Sequence, residues 1–168
     1  YLAAEAGYRI LEDGGNAIDA GVAAGITINV TLPNDTSFGG VAPIVIYNAA
    51  ADSVVTISGL RRWPRATSID YFLRDLGGQI PLGVHRTVVP AAADAWLTAL
   101  EKYGTMTFEQ VVTPALDLAE NGFPLSAYLM LSISNNGTNR DPRELLLWRG
   151  NAELPDGPVV ASTPIDRP

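Results

Sequence analysis

The sequence of 168 residues predicts an α+β fold, and three observations carry this prediction. Helix caps recur along the chain, beginning at Asn16, which precedes Asp19 by the three positions of a capping box. Two short runs rich in β-branched residues, at 41–47 and 52–58, predict neighbouring strands. From Pro90 onward, helical spacing alternates with helix-ending glycines, which is typical of a helical second half.

Composition limits the number of domains and the classes of partner. The hydrophobic fraction of 47% and the charged fraction of 17% indicate a folded chain, and no linker or repeat divides it. We therefore expect a single domain over residues 1–168, with an extended tail over 151–168. The net charge of −7, without a basic stripe, argues against nucleic-acid binding. With no cysteine and with His85 as its one histidine, the sequence predicts neither a metal site nor a cofactor.

The first thirty residues predict two helices joined by a glycine turn. Apolar side chains at helical spacing over 3–10 are followed by the glycine pair 14–15, which suits a left-handed helix end. Asn16 and Asp19 then cap a helix over 17–30 that is apolar almost all round and is therefore expected to be buried. The glycines lack the spacing of a dinucleotide fingerprint and of a phosphate loop, so we interpret them as structural.

The middle of the chain predicts a hairpin, a loop and two short elements. The glycine pair 39–40 either enters a strand or brings backbone amides close to a ligand. Pro43 places the start of the first strand at an edge or a bulge. The segment 59–68, "GLRRWPRATS", is predicted to be a loop that ends at Ser68, the cap of a short helix. Residues 84–89, "VHRTVV", predict a brief strand.

The second half predicts further helices, each with its own cap or stop signal. Thr107 and Gln110 form a capping box, and Pro114 is expected to kink or break the helix that follows. The predicted helices cover 90–104 and 107–122, begin again after Ser126, and cover 141–150.

The candidate functional residues lie in the loop after the second strand and beyond it. Arg61, Arg62 and Arg65 surround Trp63, and a planar guanidinium suits a carboxylate ligand. The alternative is a solvated loop whose arginines pair with the carboxylates of this acidic chain. His85 is expected to be structural, because no Ser or Asp spacing around it suggests a triad. The residues alone thus predict no complete catalytic constellation, which points toward a partner chain.

Two long stretches carry more specific motifs. Residues 3–40, "AAEAGYRILEDGGNAIDAGVAAGITINVTLPNDTSFGG", contain a helix end of the form I-L-x-x-G-G-N-A-x-D-A, an alanine-rich helix and a glycine turn. Residues 88–126, "VVPAAADAWLTALEKYGTMTFEQVVTPALDLAENGFPLS", follow the pattern A-L-x-K-Y-G and P-A-I-x-L-A-x-x-G-F-P. In order and spacing, both stretches resemble the large subunit of the gamma-glutamyltransferase (gamma-glutamyltranspeptidase) family.

The resemblance implies an N-terminal nucleophile hydrolase that cleaves its own proenzyme into a large and a small subunit. It implies a four-layer αββα sandwich, to which this chain supplies helices and part of the sheets and which the small subunit completes. It also implies that the catalytic nucleophile is the N-terminal Thr of the small subunit, with its own α-amine as base, so that no catalytic residue is expected in this chain. A higher heterotetramer is consistent with the resemblance.

The arginine loop departs from the pattern of the gamma-glutamyl-specific members. Those members carry an R-E-x-A-P stretch whose arginine binds the substrate's α-carboxylate, and counting back from Pro64 places that position at Leu60. "SGLRRWP" is more similar to the G-x-x-R-x-P pattern of members that act on other amides, such as oxamate amidohydrolases and acylases. The resemblance therefore implies amide hydrolysis or acyl transfer on a small carboxylate-bearing amide, with Arg61 or Arg62 as the candidate substrate-binding residue.

Two further expectations complete the sequence-based picture. The alternative to an enzyme subunit is a non-catalytic binding domain derived from the same family. The sequence starts at Tyr1 rather than Met and stops before the helical segments expected ahead of the small subunit. We therefore expect a processed or partial chain, and neither a membrane partner nor a cellular location is predicted from it.

Overall fold

The computed structural model describes residues 1–136, with side chains described as far as Ile133. The predicted helix over 141–150 and the predicted tail over 151–168 lie outside these residues. Within residues 1–136 no helix is both long enough and apolar enough to cross a membrane. The elements are α1 (Leu2–Glu12), α2 (Ala17–Thr31), β1 (Ile44–Asn48), β2 (Ser53–Ile57), α3 (Ile69–Arg74), a 3-10 turn (Val84–Arg86), α4 (Ala92–Tyr103), α5 (Phe108–Asn121) and α6 (Ala127–Asn136).

The turn between α1 and α2 has the predicted capping structure. Gly14 adopts a φ of 90°, and the Gly15 amide returns to the Ile10 carbonyl at 2.9 Å. The Asn16 side chain accepts hydrogen bonds from the amides of Ile18 and Asp19, at 2.8 and 3.0 Å, and the Asp19 carboxylate accepts from the Asn16 amide. The capping box is therefore confirmed, and the glycines end one helix immediately before the next begins.

Helix α2 is the centre of the described structure, with α1, α4 and α5 packed against it. Its apolar surface is buried on most sides, as predicted, because three helices and the hairpin all contact the core that it forms. The ten buried apolar residues of this core are Ile10, Ala20, Val22, Ala23, Ile26, Ile46, Ala99, Leu100, Val111 and Ala115.

The two strands form an antiparallel hairpin in which Ile46 pairs with Val55 and Ile44 pairs with Ile57. These four side chains lie on the face that turns toward the helices, and Ile46 is buried in the core. The opposite face carries exposed side chains, which are those of Val45, Tyr47, Val54 and Thr56. Pro43 immediately precedes β1, as its missing amide requires.

The predicted strand over 84–89 is wrong. The chain there forms the 3-10 turn Val84–Arg86, in which the Thr87 amide donates to the Val84 carbonyl at 3.1 Å, and continues irregularly to α4. Gly83, with a φ of 100°, turns the chain into this segment. The β-branched pattern was misleading because no neighbouring strand pairs with it among residues 1–136.

Helix α5 is not broken at Pro114, where we expected a kink or a break. It continues as a single helix from Phe108 to Asn121. Pro114 has no amide hydrogen to donate to the carbonyl of Gln110, four residues earlier. At the neighbouring position, the Thr113 hydroxyl donates to the Glu109 carbonyl at 2.7 Å. The predicted Thr107–Gln110 capping box is confirmed, and the helix ends at Gly122, whose φ is 83°.

The Asp19 carboxylate is fully buried and connects α2 to the turn between α4 and α5. It accepts the Thr105 hydroxyl at 2.6 Å, the Thr105 amide at 3.0 Å and the Met106 amide at 3.2 Å, in addition to the Asn16 amide. Burial alone would raise the pKa of Asp19, but these hydrogen bonds outweigh it, and the pKa lies below its ordinary value. The carboxylate is therefore stabilised as an anion inside the core.

The two ends of the hairpin approach each other so closely that one position requires glycine. The Ala42 amide donates to the Gly59 carbonyl at 3.2 Å, and Gly59 has a φ of 54°. A Cβ at Gly59 would overlap the carbonyl oxygen of Ala42. The loop that begins at Gly59 is thus fixed to the segment that leads into β1.

Asp19 should make the stability of the protein depend on acid. Because its folded-state pKa lies below the unfolded value of about 3.9, its contribution is present above that value and is lost as the pH falls through the folded-state pKa. Asp19→Asn should lower the free energy of unfolding by about 3 kcal/mol at pH 7, since buried donors lose an acceptor. Urea unfolding between pH 7 and pH 2.5 should show this difference shrinking below about pH 4.

The matched control is Asp117→Asn, which removes an exposed carboxylate. It should change the free energy of unfolding by less than about 0.5 kcal/mol at neutral pH. A constant difference between wild type and Asp19→Asn across the whole pH range would contradict the proposed anionic role of Asp19.

Gly59→Ala should destabilise the protein by more than about 1 kcal/mol, because Ala is strained at this φ and its Cβ meets the Ala42 carbonyl. Gly21→Ala is the matched control, since Gly21 lies in α2 with open space around its Cβ position. That control should be neutral or stabilising by up to about 1 kcal/mol. Thermal unfolding of both variants measures the contrast, and equal effects would show that the Gly59–Ala42 approach is not restrictive.

Candidate functional site

The candidate site lies where three segments meet: the glycine turn (residues 37–42), the arginine loop (residues 59–65) and the first turn of α4. The Gly40 carbonyl accepts the amides of Ala91 and Ala92, at 3.0 and 3.1 Å, and so caps α4, which has no side-chain cap. The Gly59–Ala42 hydrogen bond attaches the arginine loop to the same turn. Hydrogen bonds between backbone groups therefore hold all three segments together.

The glycine pair 39–40 has a role that neither sequence interpretation described. Gly40 lies several residues before β1, and its carbonyl oxygen rather than its amide makes the important contacts. A Cβ at Gly40 would lie 3.1 Å from the Ser37 carbonyl oxygen, so the turn is tight. Because the carbonyl satisfies two of the free amides at the start of α4, the turn fixes where that helix begins.

The structure places Arg61 against an acidic side chain of α4. Its Nη2 lies 2.8 Å from Oδ2 of Asp94, and the two side chains are 50% and 63% exposed. Asp94 is in the first turn of α4, where the helix dipole favours a negative charge. Arg61 therefore pairs with a carboxylate of its own chain, and the role of the loop arginines in substrate binding stays a prediction.

Arg62 and Arg65 are exposed, and neither forms a salt bridge with any residue of the described part of the chain. Arg61 and Arg62 are therefore adjacent in sequence but differ in their surroundings. A guanidinium without a protein carboxylate retains its full set of donors for a carboxylate ligand. The arginine loop therefore has the donors needed to bind an anion.

A groove of about 410 Å³ lies beside the glycine turn, between the end of α2 and the start of α4. Trp96 lines it and contacts the ring of Phe38 edge-on, with ring centroids 5.5 Å apart. Asn29 and Asn34 also line the groove, and their side-chain oxygens are buried without a hydrogen-bond partner among the described residues. The groove therefore has an aromatic wall beside two asparagine residues.

His85 belongs to an aromatic cluster that contacts the arginine loop through Trp63. Its ring stacks on Tyr71, whose hydroxyl lies 3.1 Å from Nε2, and it contacts Phe72 edge-on. Phe72 in turn contacts Trp63 of the arginine loop, with centroids 5.5 Å apart. His85 therefore packs within this cluster, and its structural role stays a prediction.

Sequence analysis did not single out Asp94, although it is the residue that Arg61 contacts. Its position in the first turn of a helix was a local signal for an N-terminal acidic residue and gave no indication of its partner.

Within residues 1–136, no group of three acidic, histidine or cysteine side chains is arranged to hold a metal ion.

Comparisons with known proteins show what the chain resembles. Residues 3–151 match the family model described as gamma-glutamyltranspeptidase. The chain is 36% identical over 139 residues to the glutathione hydrolase proenzyme of Bacillus subtilis (strain 168), with 80% of this chain and 24% of that protein covered. It is 35% identical over 155 residues to the acylase ACY 1 proenzyme of Pseudomonas sp. (strain V22), with 84% and 27% covered.

The fold agrees with a solved structure of the same family. The gamma-glutamyltranspeptidase of Helicobacter pylori matches with a TM-score of 0.69 at 29% identity, covering 89% of this chain and 42% of that chain. The present chain spans about a quarter of the length of the two curated relatives. Because the family model matches most of the sequence, the chain belongs to the gamma-glutamyltranspeptidase family.

Proposed function

We propose that this chain is part of the large subunit of a heterodimeric amide hydrolase or acyltransferase whose nucleophile is the N-terminal Thr of a small subunit. The family match over residues 3–151 is the observation that carries the proposal. Both curated relatives are named proenzymes, which supports a precursor that is cleaved into two subunits.

In the proposed reaction, the small-subunit Thr hydroxyl attacks the amide carbonyl of the substrate, with the α-amine of that Thr as base. The C–N bond of the substrate amide then breaks: the protonated α-amine returns the Thr proton to the leaving nitrogen, and the acyl group stays on the Thr oxygen as an acyl-enzyme. Water or an amine acceptor then attacks the acyl-enzyme and releases the product. This chain contributes the scaffold and a cationic site that holds the substrate in position for attack.

The substrate class follows from the arginine loop. Arg61 or Arg62 is proposed to bind a carboxylate on the substrate, since a guanidinium matches carboxylate geometry with two parallel hydrogen bonds. Leu60 occupies the position at which gamma-glutamyl-specific members are expected to carry arginine. We therefore propose a small carboxylate-bearing amide, either a gamma-glutamyl compound or another amide such as an oxamate-like or acyl amide.

We also propose that the small subunit completes a four-layer αββα sandwich. The outer face of the hairpin supports this arrangement, because Val45, Tyr47 and Val54 are 73%, 63% and 65% exposed on a face that is otherwise suited to packing. A two-stranded hairpin is at best marginally stable alone. Strands of the small subunit would pair with this hairpin and extend it into a larger sheet. A second sheet would then pack on its apolar outer face.

The experiment that tests the function is expression of the full precursor gene, followed by intact-mass measurement and N-terminal sequencing. We expect a second polypeptide that begins with Thr and co-purifies with this chain. The complex should hydrolyse an amide, and replacing that Thr with Ala should abolish turnover, since the nucleophile is lost. Purification of this chain alone as a folded monomer, or turnover that survives the Thr→Ala change, would contradict the proposal and leave a binding domain as the alternative.

The sandwich has its own test in the outer face of the hairpin. Val54→Lys, made in the precursor, should impair assembly of the two subunits, because it places a charge in the proposed sheet-to-sheet contact. Leu116→Lys is the matched control, since Leu116 is an exposed apolar residue of α5. Size-exclusion chromatography should show loss of the complex for Val54→Lys alone. Equal assembly of both variants would overturn the proposed role of this face.

A further inference from the structure

We infer that Asp94 determines which arginine of the loop the substrate meets: it engages Arg61, so that Arg62 receives the substrate carboxylate. This inference rests on the proposed function and makes it more specific, because that proposal leaves Arg61 and Arg62 as alternatives. Asp94 is in this view a specificity-determining residue that acts through Arg61 and does not touch the substrate.

Asp94 has a position that the backbone determines. It lies in the first turn of α4, and the start of that helix is fixed by the Gly40 carbonyl, which accepts the amides of Ala91 and Ala92. The arginine loop is attached to the same turn through Gly59. The Asp94 carboxylate and the Arg61 backbone are therefore held near each other by contacts that involve neither side chain.

The Asp94 carboxylate competes with a substrate carboxylate for the Arg61 guanidinium. The Asp94 carboxylate lies 2.8 Å from the Arg61 guanidinium and belongs to the same chain, so it is always present at a high effective concentration. A substrate carboxylate that used the same donors would displace Asp94 and leave its negative charge nearby. The displaced Asp94 carboxylate and the substrate carboxylate are both negative and repel each other, so binding of the substrate carboxylate at Arg61 is disfavoured.

The two arginines differ in whether a protein carboxylate already contacts them. Arg62 has no salt-bridge partner within residues 1–136, so a substrate carboxylate would displace no protein carboxylate described here. Both arginines are exposed. The Asp94 contact is thus the observation that separates them, and it favours Arg62.

The test uses the assembled two-subunit enzyme and two amide substrates that differ in one group, a carboxylate in one and a carboxamide in the other. The measured quantity is the ratio of kcat/KM for the carboxylate substrate to kcat/KM for the carboxamide substrate. Arg62→Gln should lower this ratio by about tenfold or more, the loss expected for a charge-assisted hydrogen bond. The charge-neutral double variant Arg61→Gln/Asp94→Asn should change the ratio by less than about threefold, because the pair does not receive the substrate.

Asp94→Asn alone gives an independent arm, because it leaves the Arg61 charge without its partner. We expect the ratio to rise by about three- to tenfold as a second cation becomes available to the carboxylate. Asp70→Asn is the matched control, since Asp70 is an exposed carboxylate 3.9 Å from Arg74 on α3, and it should leave the ratio unchanged.

If the double variant lowered the ratio of kcat/KM values as much as Arg62→Gln does, the inference would be overturned, because Arg61 would then be the residue that binds the substrate carboxylate. A fall in the ratio for Asp94→Asn would overturn it as well, because Asp94 would then orient a substrate-binding Arg61. Turnover of the carboxamide substrate reports on folding and on the nucleophile independently of these ratios. Failure of the proposed function is thus visible as loss of turnover of both substrates in the wild type.

Discussion

The described structure depends above all on a buried carboxylate that has no buried cation beside it. Asp19 is fully enclosed, and its charge is balanced by backbone amides and by the Thr105 hydroxyl. These donors come from the turn between α4 and α5, so a single side chain of α2 fixes where two other helices meet. The turn is shaped to fit, since a Cβ at Gly104 would lie 2.6 Å from the Asp19 carboxylate. The Asn16 side chain adds a second connection by donating to the Tyr103 carbonyl at 2.7 Å.

The same helix α4 carries this constraint from the core to the candidate site. Its C-terminal end is fixed by Asp19 and Asn16, and its N-terminal end is fixed by the Gly40 carbonyl. Asp94 therefore has a defined position, and its carboxylate lies 2.8 Å from the Arg61 guanidinium. The salt bridge itself is exposed and contributes little to folding. Its importance is that it sets the charge pattern of the loop, which is a question of binding rather than of stability.

The features that sequence analysis predicted and those it missed differ in the separation of the residues involved. The capping boxes at Asn16 and Thr107 join residues three positions apart, so their pattern is visible in the sequence, and the structure confirms both. Asp19 was recognised as a cap partner, but its bonds to Thr105 span 86 positions and had no local signature. The contact between Arg61 and Asp94 was missed for the same reason. Residues 84–89 show the opposite error, since a β-branched pattern predicts a strand only where another strand is available to pair with it.

The two faces of the hairpin differ in burial, and the difference fits the proposal that one face packs within this chain and the other against the small subunit. One face supplies Ile46 to the core of this chain, whereas the other presents Val45 and Val54 outward. A sheet that lies between two layers has both of its faces covered, and this chain covers only one face of its hairpin. The arginine loop follows β2 closely in the sequence. A partner that covered the outer face of the hairpin would therefore lie near the end of β2, where the loop with Arg62 begins. The proposed nucleophile and the proposed carboxylate receiver would then come from different chains, and neither subunit alone would hold both ends of the substrate.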